Sequence, residues 1–223
     1  MSFLDELAST TGDKGSNDEL VKRCLETPAL LHTVAEGLRT GTPKAKVDCA
    51  QIFLDVAKRR AELLHFFVGD LFDAARAAQE KGGTKRVIKI ALTTLTTIAD
   101  IVPAEVFAER DYLLAVANEG GAAGLEAVAI LSRLGRDNAN YRGKLLGPLL
   151  RLLNNTSDDD FSRMVAAMGP AVEGSVDGIK RLQQAVAARR DTLTETARQR
   201  CDRTLVKLER TTVRTKKKAG RAQ

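Results

Sequence analysis

The sequence predicts an all-α protein: a short α-α superhelix of stacked helix pairs, followed by a long basic C-terminal helix. Three observations lead there. An alanine with apolar residues four and seven positions later occurs three times, as Ala50, Leu54 and Ala57, then Ala91, Leu95 and Ile98, then Ala127, Leu131 and Leu134. Such spacing holds each triplet on one helical face. The alanines lie 41 and 36 residues apart, near the period of helix-pair repeats, and a pair that cannot bury its stripe alone must stack on its neighbours. Finally, from Lys180 onward 14 basic residues stand against four acidic ones, a local charge of +10 within a total of +6.

Four segments follow from this pattern: an N-terminal helical cap over 1–42, three helix pairs over 43–155, a capping helix and turn over 156–178, and a long basic helix with a disordered tail over 179–223. In the cap, residues 2–10 read as a short helix before a loop holding Gly12 and Gly15. Asn17 suits an N-cap, with Asp18 and Glu19 favourable in the first turn. Thr27-Pro28 separates two helices, placing Pro28 at a first-turn position, and Gly41 closes the second.

Thr42-Pro43 opens the first pair, whose leading helix carries Val47, Ala50, Phe53, Leu54 and Ala57 on one face. Its partner near 61–80 carries Leu63, Leu64, Phe67, Leu71 and Ala75, and Lys81-Gly82-Gly83 makes the exit turn. Thr84 caps the next helix. The β-branched run Val87 to Thr97 leans toward strand by propensity, but Val87, Ile88, Ala91, Leu92, Leu95 and Ile98 keep helical spacing, so a helix is expected. After the turn Asp100 to Pro103, the partner helix is expected to break at Glu109-Arg110-Asp111. The third pair follows Glu119-Gly120-Gly121. Its first helix carries Leu125, Val128, Leu131 and Leu134 and ends at Gly135; its second holds Leu145 to Leu153 and is kinked by Pro148.

Ser157 followed by three aspartates reads as a capped helix start, and Gly169-Pro170, Gly174 and Gly178 interrupt what comes next. A single helix from about Asp177 to Val213 accounts for the stripe Ile179, Leu182, Val186, Leu193, Ala197, Cys201, Leu205 and Leu208. Residues 215–223 have nothing to pack against and are expected to be mobile.

With Thr42-Pro43, the thrice-repeated alanine–leucine spacing and the leucine-rich stretch Lys144 to Leu153, residues 43–155 resemble HEAT repeats of the armadillo-like class. The resemblance implies a scaffold that holds protein partners on a concave surface; some members of that class bind nucleic acid and a few are enzymes. Two departures matter. Asp55 and Asp100 do not occupy matching places, so the usual aspartate–arginine ladder is incomplete. The chain has no tryptophan and two tyrosines, Tyr112 and Tyr141, which argues against the HEAT-like DNA glycosylases, whose pockets rely on aromatics.

Chemistry-bearing patterns are sparse. His32 and His65 stand on separate helices without a ligand partner, so neither suggests a zinc site, and both read as partly buried helix residues. Cys24, Cys49 and Cys201 are odd in number and widely spaced, unlike a disulfide framework, and read as small buried hydrophobes. Gly12 to Ser16 and Gly82 to Lys85 lack the spacing of a phosphate loop. No enzyme, cofactor or metal is therefore expected. No run approaches the roughly 20 apolar residues of a membrane span, and the acidic start Met1 to Glu6 is unlike a signal peptide, so no membrane partner and a cytoplasmic location are expected.

The expected function is a non-enzymatic protein-interaction scaffold or adaptor, with an unidentified protein partner on the helical surface. Lys85, Lys89, Thr93 and Thr97 share one face and are candidate groove-lining residues. The alternative is a nucleic-acid-associated protein that contacts the phosphate backbone through Arg189, Arg190, Arg198, Arg200, Arg203, Lys207, Arg210, Arg214, Lys216, Lys217 and Lys218. A solvated helix face is the simpler explanation of the same charges.

Overall fold

The computed structural model describes residues 3–13, 15–80 and 84–219, with side chains throughout these except at 159 and 213–219. Among the described residues there are helices and turns and no strand. Two compact units divide the chain, Met1–Val106 and Phe107–Gln223, so the boundary falls inside the 43–155 block.

Unit 1 begins with a 3-10 turn, Phe3–Glu6, and α1, Ala8–Thr11. Asn17 does not cap α2 (Ser16–Glu26), because that helix starts one residue earlier. Instead its Oδ1 accepts from the Ala8 amide at 3.0 Å and its Nδ2 donates to Asp48 at 3.0 Å, fastening the N-terminal turn to the body of the unit. α3 covers Leu30–Thr40, so Pro28 lies just ahead of its first turn. α4, Pro43–Arg60, starts as its sequence indicates: the Thr42 hydroxyl accepts from the Ala45 amide at 3.3 Å with proline in the first turn. The expected helix over 61–80 is split into a 3-10 segment, Ala61–Phe67, and α5, Val68–Glu80. The turn at 81–83 lies outside the described residues.

α6, Lys85–Ile98, resolves the conflict between propensity and spacing in favour of spacing. Each threonine hydroxyl donates to the carbonyl four residues back: Thr93 to Lys89, Thr94 to Ile90, Thr96 to Leu92 and Thr97 to Thr93, at 2.9 to 3.0 Å. Those bonds satisfy the hydroxyls within the helix, which makes threonine tolerable there and lets Thr94 be fully buried. Packing sorts these helices into two layers: α4 meets α6, α3 meets α5, and the layers join through α3 on α4 and α5 on α6. Gly37 sits where α3 crowds its neighbours; a Cβ there would come within 2.6 Å of Leu4 and 2.7 Å of Cys49.

α7 is Pro103–Ala108, and the helix breaks at Glu109 before α8, Arg110–Glu119. In unit 2, α9 (Gly121–Asp137) is the central helix, packing against α8, α10 (Ala139–Asn155), α11 (Asp158–Ala167) and α12 (Gly169–Val172). It runs through Gly135 and stops where Asn138 caps α10 by accepting from the Asn140 and Tyr141 amides. α10 continues through Pro148. Ser157 caps α11 by accepting from the Asp160 amide at 3.4 Å. Gly178, expected to interrupt the chain, lies inside a helix and donates its amide to Ser175. All nine residues of the three sequence triplets are buried, from 0% exposure at Ala50 to 8% at Leu54.

The single C-terminal helix expected from 177 to 213 is two helices, α13 (Val176–Arg189) and α14 (Glu195–Ala219). The residues between them form a turn, in which the Thr192 hydroxyl donates to the Arg189 carbonyl and the Thr194 hydroxyl accepts from the Ala197 amide. Thr194 followed by Glu195 is a helix-start signal; it outweighs continuity of the stripe. Apart from the half-buried Leu205, both halves of that stripe are buried, because α13 packs on α10 and α14, and α14 on α11. α14 extends to Ala219, past the point at which the tail was expected to begin; residues 220–223 lie outside the described residues.

Candidate functional site

The C-terminal cations fall into two groups. Arg189 is an internal fastener: its Nη1 donates to the Leu153 carbonyl at 3.0 Å and the Thr156 carbonyl at 2.5 Å, and its Nη2 to Asp158. Its guanidinium also lies over the Phe161 ring, 4.9 Å from the centroid. The carbonyls at the end of α10 have no partners within their own helix, and an arginine fork satisfies them. Arg142 does the same for α9, donating to the carbonyls of Gly135 and Arg136. Arg190 clasps Asp202 with two bonds of 2.8 and 3.0 Å across the α13–α14 turn, which holds the Asp202 carboxyl below the usual carboxylate range. Arg198 pairs with Glu195 at 3.3 Å. Arg189, Arg190 and Arg198 are therefore engaged within the fold and are not free cations.

Arg200, Arg203, Lys207 and Arg210 are different. They are exposed, and no ion pair or side-chain hydrogen bond engages them among the described residues. Steps of three and four place them along one face of α14, spanning about 15 Å of helix axis. The opposite face buries Ala197, Cys201, Leu208 and Thr212, and Thr212 accepts from the Gly174 amide at 3.2 Å. Arg214, Lys216, Lys217 and Lys218 belong to α14, but their side chains lie outside the described residues.

Unit 1 presents a second surface that sequence spacing did not mark. An open apolar cleft of about 270 Å³ is lined by Gly41, Pro43, Lys46, Ala74, Ala77, Ala78, Thr84 and Val87. A shallower one of about 330 Å³ adjoins it through Pro43 and Thr84 and adds Lys44 and Arg86. Neither cleft is lined by the candidate face of α6. Lys85 and Lys89 point to water, while Thr93 and Thr97 are half-buried with their hydroxyls bonded to their own helix. Elsewhere in the unit, Phe66 leaves the 3-10 segment 77% exposed, its ring 3.6 Å from that of His65.

Both histidines are exposed rather than partly buried; His32 leans on Phe67 at 5.0 Å. All three cysteines are buried free thiols. Burial pushes Cys24 up to about 11 and Cys49 to about 12, and raises Cys201. They are therefore protonated at neutral pH, and a thiol is a weak nucleophile. Among the described residues, no group of three or more His, Cys, Asp and Glu side chains is placed to hold a metal, and no helix is long and apolar enough to cross a membrane.

Comparison with protein-family models, curated proteins and solved structures returned no match. The geometry alone thus carries the functional reading. The free row on α14 was legible in the sequence as charge. The cleft was not, because alanines on α5 give no signal until α3, α4 and α6 are set around them.

Proposed function

We propose that this protein is a non-enzymatic interaction scaffold, built on HEAT-like helix pairs, that docks a partner protein on the surface of unit 1. The observation that supports this reading is the open apolar cleft with Lys44, Lys46 and Arg86 lining it and its neighbour, three cations without an ion-pair partner among the described residues. Apolar surface left open beside unpaired charge is what a protein interface covers. Immobilised full-length protein, exposed to extract of its native cell with and without nuclease, tests the reading. The same bound proteins are expected under both conditions. Retention of none, or loss of all of them after nuclease, contradicts it.

A second reading has its own support in the free row of α14. Four solvent-facing cations on one helical face suit the phosphates of a duplex, whose binding falls steeply with salt. Fluorescence anisotropy with labelled duplex DNA is expected to show affinity dropping between low and physiological salt. A variant carrying Arg203→Glu, Lys207→Glu and Arg210→Glu is expected to bind at least about tenfold more weakly and to show a flatter salt dependence. Equal binding by variant and parent removes this reading.

A further inference from the structure

Resting on the scaffold reading, we infer that the α4–α5–α6 cleft takes an acidic amphipathic protein segment. The segment sets an apolar side chain between the alanines and its carboxylates against the surrounding cations.

The floor of the cleft is made by small residues. Ala74, Ala77 and Ala78 follow one another on a single face of α5, and Val87 and Pro43 close the sides. Gly41 completes the wall where α3 turns into α4; a Cβ on it would lie 2.4 Å from the Gly37 carbonyl oxygen, so the chain can pass this closely only as glycine. At about 270 Å³ the space is slightly below the roughly 300 to 1,000 Å³ of pockets that enclose a small molecule. It is open on one side, which suits an anchoring side chain carried by a chain lying across the surface.

Charge decides the chemistry of that chain. Lys46 lines the cleft, Lys44 and Arg86 line the adjoining one, and Lys85 is exposed at the start of α6. The nearby carboxylates offset this charge only in part. Asp48 also lines the adjoining cleft, but its oxygens accept from the Ser9 amide and from Asn17, and it makes no ion pair with Lys44 or Arg86 among the described residues. Asp73 pairs with Arg76. Glu80 is three positions beyond Ala77, about 60° around α5 at the edge of the cleft face, and makes no ion pair with these cations among the described residues. Lys44, Lys46, Lys85 and Arg86 stand in the first turns of α4 and α6, where the helix dipole disfavours cations. No ion pair among the described residues offsets that cost, whereas the carboxylates of an acidic partner would. No aromatic ring lines either cleft, so there is no stacking platform for bases, which favours a protein segment over single-stranded nucleic acid.

The test uses the full chain and three labelled helical peptides in fluorescence anisotropy. One has leucines on one face and glutamates elsewhere, the second replaces glutamate by lysine, and the third replaces leucine by serine. The first peptide is expected to bind at least about tenfold more tightly than either of the others. Lys44→Glu/Lys46→Glu/Arg86→Glu and, separately, Ala78→Phe are expected to weaken it by a similar factor. Arg203→Glu/Lys207→Glu/Arg210→Glu on α14 is expected to leave it unchanged. Circular dichroism melting of each variant checks that the fold is kept. Equal binding of the glutamate and lysine peptides, indifference to the two cleft variants, or full competition by duplex DNA overturns the inference. If the cleft variants still retain the extract proteins while Phe66→Ser loses them, the scaffold reading stands and this assignment of its site falls.

Discussion

At the turn between α13 and α14, Arg189 and Arg190 are held by the fold, whereas further along α14 no ion pair or side-chain hydrogen bond holds Arg203, Lys207 or Arg210 among the described residues. Both groups belong to the same basic segment and have the same chemistry. What separates them is what stands opposite. Arg189 faces the end of α10, where backbone carbonyls need donors, and Arg190 faces Asp202 across the hairpin. The α14 row faces solvent, because the other side of that helix is taken up by the core. A cation opposite an unsatisfied helix terminus is structural, and one on a solvated face is available to a partner.

Substitutions along the hairpin should separate the two groups. The largest effect on stability is expected from Arg189→Ala, which strands two carbonyls and a half-buried carboxylate together. A loss of about 2 to 4 kcal/mol is expected by urea denaturation. Arg189→Lys should recover only part of it, since an ammonium cannot reproduce the fork. A loss near zero would mean that water replaces the guanidinium at no cost.

A smaller and pH-dependent effect is expected at the Arg190–Asp202 pair. The folded Asp202 carboxyl titrates below its ordinary value of 3.8, chiefly through its hydrogen bond from Arg190. The stability it contributes is therefore present above about that pH and is lost as pH falls through the depressed value. Arg190→Ala should flatten the dependence of the urea midpoint on pH in this acid range, with a loss at neutral pH several-fold smaller than that of Arg189→Ala. Identical acid profiles for variant and parent would remove the pair from any stabilising role.

The smallest effect on stability is expected from Arg203→Glu/Lys207→Glu/Arg210→Glu, within about 0.5 kcal/mol of the parent, as for substitutions on an exposed face. Should this variant unfold early, the row is structural and the distinction fails. A corresponding contrast exists in unit 1, where buried Cys49 titrates only near 12. A thiol raised in the fold favours the folded state below its ordinary value of 9.0 and loses that contribution as pH rises toward the folded value. Cys49→Ala should therefore weaken the alkaline destabilisation of the protein above about pH 9, as read from the urea midpoint.

Much of the helical architecture was legible in the residues. The Ala50, Ala91 and Ala127 triplets marked buried faces, Ser157 and Thr42 marked helix starts, and Glu109 marked a break. Each is a local signal, written within about one or two helical turns. At two places the reading failed. Thr194-Glu195 announced a new helix while the stripe from Val186 to Ala197 argued for continuity. Asn17 had the chemistry of a cap but found its partners in α1 and α4.

By itself, then, the sequence determined that the chain is helical, which faces are apolar and where charge accumulates, because side-chain periodicity records all three within a few residues. Tertiary structure decided which charges are engaged and which are free. Arg189 reaches Leu153 and Asp158, 36 and 31 residues away, through the packing of α13 on α10. It also made the unit 1 cleft, since three alanines on α5 become a recess only when neighbouring helices rise around them. Interactions over such separations depend on how helices are set against one another, and that setting is not written in any one of them.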